Sequence, residues 1–221
     1  MYKSPAIPYV APFAIFMALL ALQSTGLLPG LADQLIRLAI LSAVIWFFAR
    51  PALDFRVRNF AGTLGIGFAI FVIWILPDIL FPGYRHSILF ENAILGSIKN
   101  PLTVAERSNT LVLGLRALRA IIIVPIVEEL FWRGWLMRWL IKPEFQTLPL
   151  GAFTRSAFWI TAFLFAAEHG PYWDVGMVAG ILFNWWMIRT KSLGDLILTH
   201  AVANGCLSAY VVIAGKWEYW P

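Results

Sequence analysis

The stretch LVLGLRALRAIIIVPIVEELFWRGWLMRWL, Leu111–Leu140, decides how the rest of the chain is read. A bilayer is crossed by about 20 predominantly apolar residues, and this run is longer than that and almost wholly apolar. Yet Glu128, Glu129 and Arg133 fall within two turns of it. A charge alone in hydrocarbon costs about 3 kcal/mol or more, so ionisable residues there mark a functional site by default. On a helix Glu129 and Arg133, four apart, share one face and can pair. Glu128 is rotated about 100° from Glu129 and is left to face a cavity. Pro125, one turn before Glu128, either kinks the helix or starts a new one at its first turn. It divides the run into an upstream part with Arg116 and Arg119 and a downstream part with the acidic pair.

The composition agrees with this reading. Of 221 residues, 60% are hydrophobic and 13% charged, and the mean hydropathy is +0.76, far from soluble proteins. Residues 1–221 are expected to form a single integral membrane domain, with no room for a separate soluble one. The net charge of +5 reads as membrane topology, because Lys and Arg cluster in short loops beside apolar runs and no basic tail suggests nucleic acid. Cys206 is the sole cysteine, which excludes an intramolecular disulfide and a CxxC motif. The N-terminal apolar run is too long for a signal peptide and lacks a clear A-x-A site, so a retained first span is expected.

Working outward, apolar segments at Val10–Leu28, Leu31–Phe48 and Phe60–Leu80 precede the decisive stretch, and Phe153–His169, Val175–Ile188 and Leu193–Ala214 follow it. Gly62, Gly65 and Gly67 in the third allow close approach of a neighbour. The polar segment Tyr84–Thr110 is an extramembrane loop with a short interfacial helix expected over Ser87–Ile98. Positive connectors at Arg50–Arg58, Arg138–Arg155 and Arg189–Lys191 alternate with neutral or acidic ones. That alternation puts the N-terminus on the cytoplasmic side and favours seven spans over eight. The expected fold is therefore all-α: a polytopic membrane helical bundle of about seven transmembrane helices enclosing a polar active-site cavity. Trp173, Trp185, Trp186, Trp217, Tyr219 and Trp220 are expected in an aromatic belt.

The later segments supply partners for Glu128. The fifth ends in Phe165-Ala166-Ala167-Glu168-His169, and the seventh carries His200 and Asn204, four apart on one helix face. Each has a plain structural alternative. Glu129 and Arg133 can be a bracing ion pair, His169 an interfacial histidine, and His200 with Asn204 an interhelical clasp. Arg116 and Arg119 suit snorkelling or headgroup contacts, or the mouth of the cavity where a substrate carboxylate would arrive. Glu168 is expected to face water, and Asn184 and Asp195 to cap or clasp.

Taken together, EExxxR at Glu128, Glu129 and Arg133, FxxxH at Phe165 and His169, and HxxxN at His200 and Asn204, in that order, resemble the CPBP family. That family comprises the type II CAAX prenyl endopeptidases and related bacteriocin-processing and immunity proteins. The resemblance covers about Pro125–Gly205, within a motif-bearing part of about residues 111–214. Size and tryptophan content suit a CAAX-protease-related branch linked to bacterial protein sorting, which implies a bacterial inner membrane.

The resemblance implies a glutamate-type intramembrane endopeptidase that cleaves a membrane-associated protein or peptide. Glu128 would be the general base and His169 its partner, His200 and Asn204 would hold the oxyanion, and Glu129 and Arg133 would support the architecture. Phe165, Arg116 and Arg119 would line the cavity or its mouth. No cofactor is expected. The lesser reading is a zinc-dependent variant with Glu128, His169 and His200 as ligands and one open position, although HExxH is absent. A non-catalytic immunity or scaffold protein that keeps the motif is the alternative class. One tension follows from the topology: His169 falls near the outer end of its span and His200 about 9 Å inside the cytoplasmic end of its own. They can meet only if spans tilt, the Gly170–Asp174 connector dips inward, or a span is short.

Overall fold

Most of the long helices begin at a residue whose side chain accepts the first free N–H groups. In the computed structural model, which describes residues 4–23, 30–98 and 102–220, Asn59 caps from Gly62 N at 3.0 Å, Asn109 from Leu111 N and Val112 N, Thr154 from Ala157 N and Ser192 from Asp195 N. Such caps satisfy donors that the helix cannot. The rods are α1 (Ile7–Gln23), α2 (Gly30–Ala52), α3 (Phe60–Leu80), α4 (Thr110–Trp139), α5 (Arg155–Ala167), α6 (Trp173–Thr190) and α7 (Leu193–Ala214). No strand occurs among the described residues.

Four of these, α2, α3, α4 and α7, are long and apolar enough to cross a membrane. α1 and α5 are apolar but shorter, and α6 carries Asp174, Asn184 and Arg189 among its apolar residues. Phe68, Phe163 and Ile213 are exposed on the bundle's outside, a surface suited to lipid rather than water. The expected end of the first span, at Gly26, Leu28 and Pro29, lies outside the described residues.

Packing relies on small residues, as expected where lipid removes the hydrophobic drive between helices. α3 lies so close to α7 that a Cβ on Gly67 would sit 2.6 Å from the Thr199 carbonyl oxygen, and one on Gly62 would meet Trp186. Gly65 faces open space. Gly67→Ala is therefore expected to cost about 1–3 kcal/mol, read as a lowered unfolding midpoint in detergent, with Gly65→Ala near neutral. Asp195 fastens the same pair of helices. Its carboxylate accepts from Arg58 N, Asn59 N and Thr63 Oγ1 at 2.7, 2.9 and 2.8 Å.

Pro125 starts no separate helix, for the run from Thr110 to Trp139 is continuous. A π-helical turn at Arg119–Ile123 absorbs the proline, and in it Val124 N donates to Arg119 O, five residues back. The next donor in that pattern would be Pro125, which has none. The Ala120 carbonyl instead accepts from Asn204 Nδ2 of α7 at 2.8 Å. A second π-helical stretch covers Leu130–Leu136; such bulges often mark functional sites.

The loop after α3 contains turns and a single bridge between Asn92 and Gly96 where a helix over Ser87–Ile98 was expected. Asn92 Oδ1 accepts from Ile94 N and Leu95 N, a local turn that competes with helix, and Gly96 has φ +83°. Arg85 pins this loop down. Its Nε donates to Asp78 at 3.0 Å and its Nη1 to Asp174 and the Pro171 carbonyl at 2.6 and 2.9 Å. Burial pulls the Arg85 pKa down, but the bonds to Asp174 and Asp78 outweigh it and hold the guanidinium above its ordinary value. The loop thus covers the connector after α5, where Gly170, at φ +53°, would bring a Cβ to 2.8 Å from the Leu95 carbonyl oxygen.

Candidate active site

α5 has 13 residues, about 20 Å at 1.5 Å each, against about 30 Å of hydrocarbon. It therefore stops inside the bundle. Its last turn and the short 3-10 turn Gly170–Tyr172 carry Glu168 and His169 to the wall of a cavity of about 390 Å³ that Glu128, Phe165, His200, Asn204, Arg116 and Arg119 also line. The expected separation of His169 and His200 disappears for this reason. Phe165 bridges them, its ring centroid 4.7 Å from that of His169 and 6.5 Å from that of His200.

Glu128 and Glu129 divide as their 100° separation requires. Glu129 and Arg133 are fully buried, with Arg133 Nη1 donating to the two Glu129 oxygens at 3.1 and 3.2 Å. Arg133 lies between the rings of Phe165 and Phe183, at 4.5 and 5.0 Å, and its Nε donates to Asn184 Oδ1 at 2.9 Å. Asn184 Nδ2 donates in turn to the Phe158 carbonyl. On the other side Glu129 Oε1 lies 2.9 Å from His200 Nδ1. One polar chain thus joins α5, α6, α4 and α7. The sequence pattern pairs Glu129 with Arg133; the structure adds Asn184 and His200 to the pair.

Glu128 faces the cavity, and its Oε2 is buried without a hydrogen-bond partner. Ligating atoms of Glu128, Glu168 and His169 lie within 4.8 Å of one another. Glu168 is the residue that sequence reasoning misplaced. It is half-buried and lines the cavity, and its Oε1 accepts from Trp132 Nε1 at 3.1 Å. The signal for it in the sequence is its position beside His169. Two carboxylates so close call for a shared proton or a cation between them. Among the described residues this is the group that can hold a metal ion, with Glu168 where His200 was expected.

Both histidines have one nitrogen committed. His169 Nδ1 lies 2.7 Å from the Phe165 carbonyl oxygen, and His200 Nδ1 faces the Glu129 carboxylate. Each partner only accepts, so Nδ1 carries the proton in both rings and Nε2 is the atom left for chemistry. Asn204 has given one N–H to Ala120 and keeps a second. Trp186, Tyr219 and Trp220 are buried, with Tyr219 and Trp220 against the cavity, which removes them from the expected aromatic belt; Trp186 Nε1 donates to Thr63 Oγ1. Cys206 does not line the cavity.

Residues 110–206 match the family model described as Type II CAAX prenyl endopeptidase Rce1-like. No curated protein and no solved structure matches the chain. The match spans all three motifs and both π-helical stretches of α4, and over that part the chain resembles a CAAX protease. With its long apolar helices it is a multi-pass integral membrane protein.

Proposed function

We propose that this CAAX-protease-like chain is an intramembrane endopeptidase that hydrolyses a peptide bond of a membrane-associated substrate through a water activated by Glu128 and His169. The observation that carries the reading is the approach of Glu128, Glu168 and His169 in one cavity, with an unpartnered Glu128 oxygen among them. A water between Glu128 and His169 Nε2 loses a proton to Glu128 as its oxygen bonds to the substrate carbonyl carbon. The C–N bond then breaks, and the departing amine takes that proton. Water-derived OH and the acyl carbon leave as a carboxylic acid. Glu168, anchored by Trp132, orients the water. The free Asn204 N–H and His200 Nε2 are the candidate oxyanion donors. His200 donates only when doubly protonated, with Glu129 as its counter-charge. Preset donors of this kind contribute about 3 to 4 kcal/mol each.

The direct test is to add the purified protein, in nanodiscs, to a solubilised membrane proteome and map new peptide termini. Termini that appear with the active protein and lie in or beside apolar segments are expected; a proteome without new termini would sink the proteolytic reading.

A zinc-dependent form of the same reaction is the second reading, favoured by the donor group itself. Two carboxylates and His169 Nε2 would leave one position for water, and the ion would polarise that water. The metal-free reading predicts that excess chelator changes the cleavage rate by less than about twofold, because Glu128 alone supplies the base. A rate lost to chelator and restored by zinc would decide for the metal.

A further inference from the structure

A second cavity, of about 510 Å³, lies at the end of the bundle where α3 and α7 finish, between the polar loop and the segment that follows α7. Its lining differs from that of the catalytic cavity. Asp78, Arg85, His86, Lys216 and Glu218 line it, whereas Phe16, Leu20, Ile70 and Phe71 are among the apolar side chains around Glu128. Tyr172 and Tyr219 line both, so two tyrosine rings with centroids 5.4 Å apart divide one cavity from the other. Each is bonded to a residue of the second cavity, Tyr219 Oη donating to Asp78 at 2.8 Å and Tyr172 Oη to the Glu218 carbonyl at 3.2 Å.

Arg85 is 2% exposed, and anchoring the loop uses only part of it. Nε and Nη1 have acceptors in Asp78, Asp174 and Pro171, and the Tyr172 ring lies 4.4 Å from Cζ. Nη2 is buried with no hydrogen-bond partner among the described residues. An unmet donor on a buried guanidinium is costly, and an arriving oxygen atom removes that cost. Charge narrows what can bring the oxygen. Asp78 answers Arg85 at 3.0 Å and Glu218 answers Lys216 at 3.6 Å. Asp174 is a further acid on Arg85, and His86 pairs with Glu91. An anion would meet no surplus of positive charge here. A neutral carbonyl oxygen needs none.

The catalytic cavity is near enough to supply it. Trp74 spans the interval, its ring 5.1 Å from that of His169 and 6.3 Å from that of Tyr172, a reach that about three to four residues of extended peptide cover. We propose that the second cavity is a binding site for an uncharged polar peptide segment of the substrate, which reaches it from the cleaved bond past Tyr172 and Tyr219, and that a backbone carbonyl of this segment accepts from Arg85 Nη2. The apolar part of the substrate stays beside Glu128 while the polar part leaves by the α3 and α7 end. The inference rests on the proteolytic reading for its substrate class, but binding tests it without cleavage. Arg85 touches no reacting atom; it is a specificity residue.

The experiment offers acetylated and amidated peptide pools to the full-length Glu128→Gln protein in nanodiscs, which prevents turnover, and counts the retained peptides by mass spectrometry. One pool is short and apolar. Two more carry an extension of Gly, Ser, Asn and Gln at the N-terminal or the C-terminal end, and a further two carry Asp and Glu in those extensions. At least one neutral extended pool is expected to be recovered about tenfold over the apolar pool, as suits one hydrogen bond from a charged donor, and its acidic counterpart is expected to do no better. Ile98 lines the second cavity and not the first, so Ile98→Trp fills the site from its wall. Arg85→Lys keeps a cation for Asp78 and Asp174 but removes Nη2. Each is expected to bring the ratio to about one while recovery of the apolar pool, which reports folded protein, is kept; if Arg85→Lys fails to fold, Ile98→Trp decides alone. Equal recovery of the extended and apolar pools, or recovery of none, overturns the proposal. So does a preference that survives either variant in folded form. Acidic pools recovered well above the neutral ones would make this an anion site and overturn it equally. Absence of new peptide termini in the proteome test, by contrast, strikes the proteolytic reading and leaves the binding result standing.

Discussion

Glu128→Gln is expected to lower the rate of cleavage by about 10³-fold or more, within the range that a positioned general base contributes, while the protein accumulates and unfolds as the parent does. The substitution is nearly isosteric. Glu128 Oε2 has no hydrogen-bond partner to lose, and the amide can donate to Glu168, whose ligating oxygen lies within 4.8 Å. What is removed is the carboxylate proposed to take a proton from water beside His169 Nε2. The measurement is the appearance rate of substrate-derived termini in nanodiscs, normalised to folded protein by size-exclusion profile. A folded Glu128→Gln protein that cleaves within tenfold of the parent rate would remove Glu128 from the chemistry.

Arg133→Ala is expected to act in the opposite way, through stability, with a loss of about 3–5 kcal/mol. Native proteins are stable by only about 5–15 kcal/mol, so poor accumulation and a sharply lowered unfolding midpoint in detergent should follow. The loss has three parts. Glu129, fully buried, would keep a charge that His200 alone must answer. Asn184 Oδ1 would lose its donor. A void would open between Phe165 and Phe183, which now hold the guanidinium at 4.5 and 5.0 Å. Arg133→Lys should fall between, because an ammonium cannot serve Glu129 and Asn184 at once with the same planar geometry. A change below about 1 kcal/mol would mean that the pair is incidental, as most exposed ion pairs are.

The two variants separate adjacent acids by what they do, and that separation was already legible in the sequence. The helical angle between Glu128 and Glu129 follows from 3.6 residues per turn, and the i, i+4 spacing assigns Arg133 to Glu129. All four residues expected to carry the chemistry line one cavity, as do Phe165, Arg116 and Arg119. What escaped sequence reasoning depends on where helices stop. Glu168 lines the cavity only because α5 ends after Ala167, and hydropathy alone extends the span to His169. Trp186 and Trp220 look like belt residues by type, but Trp186 is buried by the close approach at Gly62 and Trp220 by the cavity wall. The helix expected over Ser87–Ile98 yields to the turn closed by Asn92, a preference visible only once Gly96 adopts its positive φ.

On the proposed mechanism, the bond from Asn204 to Ala120 would tie catalysis to the register of one helix against another. Pro125 leaves the Ala120 carbonyl free at a single height on α4, and Asn204 can reach it at a single height on α7. An axial shift of either rod by one residue, about 1.5 Å, would break that bond and displace the second Asn204 amide hydrogen. On the proposed mechanism, slippage of α4 against α7 would therefore misplace a proposed oxyanion donor relative to the proposed base.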